Sequence, residues 1–161
     1  LPSKRDVATI SNVIMQVSTA MQTLDTAVKA FNGQDFNQLA TDAATLKTVL
    51  TQGTQQIMAT DAISAQDAIT LQSSLSPVQT LGTSLVTDIT AKKAQVQQAG
   101  LCTIVQQQTA DIGSSASGLI SATVQKVPAN LQAVATQLTS GFTSELNDLS
   151  ASFAPGNCTN A

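Results

Sequence analysis

The chain contains no His, Trp or Tyr, and its only aromatic is Phe, present four times. Without His, the side chain that most often activates a Ser or Cys nucleophile is missing, and so is the usual nitrogen ligand of zinc sites. Cys is scarce too: Cys102 and Cys158 stand alone and far apart, so no thiolate cluster can hold a metal. Charged residues make up only 11% of the chain, against roughly 25% in ordinary soluble domains. Seven Lys and Arg face ten Asp and Glu, and the only basic pairs are Lys4-Arg5 and Lys92-Lys93. Neutralising nucleic-acid phosphates needs clustered cations, so nucleic acid is excluded as a partner. No apolar run approaches the roughly 20 residues that cross a bilayer, so no transmembrane segment is expected, and no signal peptide is visible.

Other routes to chemistry are equally thin. The basic residues follow no Ser-x-x-Lys pattern. Glu145 and Asp148 lie one helical turn apart and could in principle share acid–base work, but a solvated helix face explains them as well. Gly113-Ser114-Ser115-Ala116-Ser117-Gly118 has no preceding strand and no following Lys, so it is a closely approachable part of a helix rather than a phosphate loop. The chain is therefore read as a non-enzyme with no cofactor.

What the sequence does have is periodicity. Val7, Ile10, Ile14, Val17, Met21, Leu24, Val28 and Phe31 are spaced three and four apart, a single stripe of one α-helix. That first helix is expected from about Lys4 to Phe31, with Ser3 as its N-cap three residues before Asp6 and Asn32-Gly33 as its stop. A second begins near Asp35, carries Phe36, Leu39, Ala43, Leu46, Leu50, Gly53 and Ile57, and fades out at Met58 to Thr60. A third starts at the cap Ser64, with Asp67 three residues on, and runs to Gly100 along Leu71, Leu75, Val78, Gly82, Leu85, Ile89 and Val96. Pro77 interrupts it. One kinked helix is the preferred reading, and a fresh helix starting at Ser76-Pro77 is the alternative. A fourth covers Leu101 to Val124 through Val105, Gln108, Ile112, Ser115, Leu119 and Ala122. Pro128 opens a fifth, with Leu131, Val134, Leu138, Phe142, Leu146, Leu149 and Phe153 on its stripe. Short connections favour antiparallel neighbours, and 161 residues fit one domain. The fold class is thus all-α: a five-helix, mostly up-and-down antiparallel bundle with a Pro-kinked third helix, and a single domain over residues 1–161.

The two Cys fit this topology. Cys102 opens the fourth helix and Cys158 follows the fifth, so antiparallel packing of those helices would bring them together. A disulfide there would contribute about 4 kcal/mol by loop closure and would point to an extracellular protein. Two buried free thiols are the alternative. Asn157-Cys158-Thr159 is also an N-glycosylation sequon.

The inward stripes are aliphatic but punctuated by small and polar residues: Gly53, Gly82, Gln108 and Ser115. Two readings are open. Small residues let helices approach closely and leave nothing hollow; or long helices enclose an aliphatic tunnel with a few placed polar groups.

The opening Lys4-Arg5-Asp6-Val7, followed by the amphipathic helix to Ala27-Val28-Lys29-Ala30-Phe31-Asn32-Gly33, resembles the fungal hydrophobic surface-binding protein A family, which includes cell-wall galactomannoprotein antigens. The likeness extends over nearly the whole chain in helix count and in its aliphatic, Thr- and Gln-rich composition. The resemblance implies a secreted or cell-wall helical domain, expected as a monomer, that holds long-chain fatty acids such as arachidonic or palmitic acid in a central cavity and captures host lipid. The alternative it implies is a surface-active wall protein that adsorbs to hydrophobic surfaces. Under the first, the ligand walls are expected at Leu71, Leu75, Val78, Leu85, Ile89, Val105, Ile112, Leu119, Leu138 and Phe142. No Arg or Lys lies on the inward stripes of the fourth and fifth helices, so neutral donors should meet the carboxylate: Gln108, Ser115, Ser121 or Ser140.

Overall fold

The computed structural model describes the backbone of residues 4–161 and the side chains of residues 6–137 and 139–161. Six helices follow one another: α1 (Lys4–Ala30), α2 (Asn37–Met58), α3 (Ala65–Ala91), α4 (Lys93–Gln98), α5 (Cys102–Lys126) and α6 (Ala129–Ser152). No strand occurs among the described residues. The expected cap at Ser3 lies outside them. The one at Ser64 forms: its Oγ accepts from the Asp67 backbone N–H at 3.1 Å, which satisfies one donor orphaned at the start of α3. Gly33 takes φ 92° after α1, the left-handed conformation its position as a stop demands.

The third expected helix is two helices. α3 passes through Pro77 without ending, so no new helix starts there, and the chain breaks instead at Lys92, with φ −93° and ψ 7°. The break is hard to see in sequence because Ile89 and Val96, seven residues apart, keep the stripe running across it. The short α4 then carries Val96 into the core, and Gly100, at φ 72°, turns the chain into α5.

The five long helices close a ring. α1 packs on α2 and α3, α2 on α5, α5 on α6, and α6 back on α3. Each thus has two neighbours, and none occupies the axis. Successive long helices reverse direction, as expected, yet the neighbours are not all antiparallel. Lys47 reaches Asp111 at 3.5 Å, and a Cβ at Gly53 would lie 3.4 Å from Leu119 Cδ1, a register in which α2 and α5 run the same way. The same glycine also brings α1 close. A Cβ on Gly53 would lie 2.6 Å from Val13 Cγ1 on α1.

The core is aliphatic. Ile10, Val13, Leu46, Ile57 and Phe153 are its largest fully buried side chains, each worth about 2–5 kcal/mol against truncation to Ala. Cys102 and Cys158 form a disulfide with Cα atoms 5.8 Å apart, so the start of α5 does lie beside the end of α6. Asn160 Oδ1 accepts from the Cys102 N–H at 3.0 Å and ties the tail down further. At the opposite end, the Lys126 ammonium donates to the carbonyls of Met58 and Thr60. It closes the end of α2, where the sequence offers no stop signal.

Candidate ligand-binding cavity

A helix ring with nothing on its axis leaves space wherever side chains cannot meet across it. The space here is a cavity of about 150 Å³. Ile14, Val17 and Met21 of α1 and Leu46, Leu50 and Ile57 of α2 form one wall. Leu71, Leu75, Val78, Gly82 and Leu85 of α3 face Ile112, Ala116 and Leu119 of α5. Leu131, Val134, Phe142 and Leu146 of α6 close the remaining side. Among the described residues no ionisable side chain lines it; the polar contributors are Gln72, Gln79, Thr123 and Thr139, all at least partly exposed. Thr123 Oγ1 already donates to the Leu119 carbonyl at 2.8 Å, and Thr139 to that of Ala135 at 3.0 Å. Threonine in a helix commonly bonds back in this way. The rim is apolar: Ile69 is 56% exposed and Val134 48%, high values for such side chains.

Phe142 shapes the α3–α6 wall. A Cβ on Gly82 would overlap its ring, so only glycine lets the phenyl seat directly on α3. One residue on, Thr83 Oγ1 donates to Glu145 Oε2 at 3.1 Å. Glu145 therefore tethers α6 to α3 rather than pairing with Asp148, which stands exposed.

A second, smaller cavity of about 50 Å³ lies farther along the same axis, toward the end of α1. Leu24 and Val28 of α1, Phe31 just after it, Phe36 at the N-cap of α2, Leu39 and Ala43 of α2, and Val105 and Thr109 of α5 surround it. Its edge-on pair Phe31 and Phe36 has ring centroids 6.1 Å apart. Lys92 and Gln108 are the longest polar side chains on its wall. Close by, Lys29 pairs with Asp25 at 3.2 Å and with Asp88 at 3.8 Å. A hydrogen bond with Asp25, then burial, hold the Asp88 carboxyl above the usual carboxylate range, while Lys29 and Lys92 pull it down. A larger open groove on the outside of α1 and α2, by Met15, Thr19, Thr23 and Thr45, faces solvent and lacks this enclosure.

The expected site residues separate accordingly. Leu71, Leu75, Val78, Leu85, Ile112, Leu119 and Phe142 line the main cavity. Ile89, Val105 and Gln108 line the smaller one, which Ile112 also touches. Ser115 is half-buried and lines neither cavity. Ser121 and Ser140 are exposed, and the Ser140 hydroxyl donates to the Gln137 carbonyl at 2.9 Å. The side chain of Leu138 lies outside those described. Sequence reasoning left out the α1 and α2 walls, although their stripes were plain. It also passed over Gln72 and Thr123, whose signal was their place beside Leu71 and one turn after Leu119. Asn157 of the sequon is exposed, with its amide donating to the Ala151 carbonyl at 2.9 Å.

Three solved structures share this architecture. Ligand binding domain 1 of the Penicillium marneffei MP1 protein, solved with arachidonic acids, superposes with TM-score 0.89 at 21% identity, covering 92% of this chain and 99% of that one. Domain 2 of the same protein, solved with multiple arachidonic acids, gives 0.86 at 24% identity over 95% and 99% of the two chains. AFMP4P, solved with palmitic acid, gives 0.84 at 24% identity over 92% and 99%. Among curated sequences, cell wall mannoprotein 1 of Aspergillus flavus is 32% identical over 136 residues, 84% of this chain. The chain spans about half the length of that relative, 50%. A sequence profile described as hydrophobic surface binding protein A matches residues 7–125. With that profile over most of its length, the chain belongs to the hydrophobic surface binding protein A family.

Proposed function

We propose that this protein binds long-chain fatty acids, without transforming them, in the axial cavity of its helix ring. The observation that carries the reading is an almost wholly aliphatic cavity on the ring axis, with no ionisable side chain on its wall among the described residues. Such a wall suits a hydrocarbon chain, and each methylene buried is worth about 0.8 kcal/mol. The solved relatives with arachidonic and palmitic acids support the same ligand class. The carboxylate cannot be left unpaired in an apolar interior, since that would cost several kcal/mol. It therefore stays at the mouth, in water and within reach of the exposed Gln72.

An apolar cavity of about 150 Å³ holds a molecule the size of benzene, so a long chain must widen this one. The compliant wall is α3 with α6. Pro77 sits between the cavity residues Leu75 and Val78, and the backbone bond it lacks kinks α3 there. The protein acts as a single monomeric domain outside the cell, where the disulfide persists and Asn157 can carry a glycan. Affinity should fall steadily as the acid shortens from about sixteen carbons to eight, by roughly 0.8 kcal/mol per methylene. An affinity independent of chain length would refute the reading.

A second reading, adsorption to hydrophobic surfaces, draws on the exposed Ile69 and Val134 at the cavity rim. It predicts that Ile69→Ser with Val134→Ser abolishes adsorption to hydrophobic beads; because both residues also line the cavity, the same pair weakens binding of dissolved fatty acid on the first reading.

A further inference from the structure

We propose that the two axial cavities are compartments of one tunnel, and that Ile112 is the partition setting the longest chain the main compartment accepts. The inference rests on the fatty-acid reading above. The residues that bound the two cavities follow one another along every shared helix. On α1 the main wall ends at Met21 and the far wall begins at Leu24; on α2 the pair is Leu46 and Ala43; on α3 it is Leu85 and Ile89. Each step is three or four residues, about one helical turn or 5 Å. The compartments are therefore coaxial and separated by a single layer of side chains. On α5 there is no step at all, because Ile112 lines both cavities. Among the described residues no other side chain does so.

Both faces of this layer are apolar, so no desolvation penalty opposes a hydrocarbon crossing it. Only the volume of the Ile112 side chain and its neighbours stands in the way. The far compartment, about 50 Å³, has room for roughly two carbons, by proportion to apolar cavities of about 150 Å³ that hold benzene. The Phe31–Phe36 pair lies on its wall, and its small volume keeps the extension finite. The ligand this arrangement selects is a linear aliphatic chain whose terminal methyl abuts Ile112.

The test is a dissociation-constant series for saturated fatty acids of increasing length, measured on the whole protein and on variants. In the parent, each added methylene tightens binding about fourfold until the main compartment is full, and then the gain stops. Ile112→Ala should move that plateau by about two methylenes, so the longest acids bind roughly fifteenfold tighter than to the parent. Ile112→Val, a smaller truncation that cores tolerate better, should move it by about one methylene, roughly fourfold, and gives the answer if the Ala variant does not fold. Ala43→Leu fills the far compartment from the other side. Combined with either truncation, it should return the plateau to the parental length. A plateau that Ile112→Val leaves in place, or one that Ala43→Leu fails to restore, overturns the partition. A parent that binds no fatty acid at any length overturns the fatty-acid reading instead.

Discussion

Gly53→Ala is the sharpest test of how closely the ring is packed around its cavity. In an exposed helix interior, replacing Gly by Ala stabilises by about 1 kcal/mol, because Ala loses less backbone freedom on folding. At Gly53 the new methyl would lie 2.6 Å from Val13 Cγ1, and Val13 is fully buried on α1. Neither α1 nor the β-branched Val13 can yield cheaply, and overpacking of this kind costs about 1–3 kcal/mol. Subtracting the propensity gain leaves a net loss of about 1 kcal/mol, or about 2–4 °C in Tm for a protein of this size. Val13→Ala alone should cost about 2 kcal/mol. In the double variant the methyl of the new Ala occupies part of the space that Val13 vacates. It should then be no less stable than Val13→Ala, with a coupling energy of about 1–2 kcal/mol. Urea denaturation of the four proteins completes the cycle. A Gly53→Ala variant more stable than its parent, or a cycle without coupling, would refute the close α1–α2 approach.

Replacing Cys102 and Cys158 by Ser should lower stability by about 4 kcal/mol through loop closure, and thiol titration of the unreduced, denatured parent should find no free thiol. The Asp88 carboxyl is held above its ordinary value of 3.8, so the native state binds its proton more tightly than the unfolded chain does. Its contribution is complete below that value and fades as pH rises through the folded pKa; Asp88→Asn should flatten this part of a stability–pH profile. Gln72→Ala should weaken fatty-acid binding by about 1 kcal/mol, the usual scale for one hydrogen bond, while Ser121→Ala and Ser140→Ala, which are exposed and line neither cavity, leave it unchanged in the same titration.

The helical stripes carried most of the fold. The positions of α1, α2, α5 and α6, the cap at Ser64 and the meeting of Cys102 with Cys158 all follow from apolar spacing and punctuation residues. The break at Lys92 does not, because neither Gly nor Pro marks it and the stripe continues through α4. Nor does a stripe distinguish a filled axis from a hollow one. That depends on which helices become neighbours, and the ring order α1–α2–α5–α6–α3 is a property of long-range packing. Polar positions were the least legible. Gln108 on the α5 stripe does face a cavity, though the smaller one. Ser121 was chosen for its apolar neighbours Ile120 and Val124, yet it lies on the opposite, exposed face. Phe142 was legible as an inward residue, but its seat on Gly82 required both helices to be in place.

Native mass spectrometry of the purified protein, with and without added palmitic acid, decides whether the helix ring carries fatty acid. A folded monomer should carry the mass of one or more fatty acids, retained from expression or gained on addition, and absent when a short acid of about eight carbons is added to delipidated protein at the same concentration. A folded protein that shows only its bare mass in every sample would contradict the fatty-acid reading.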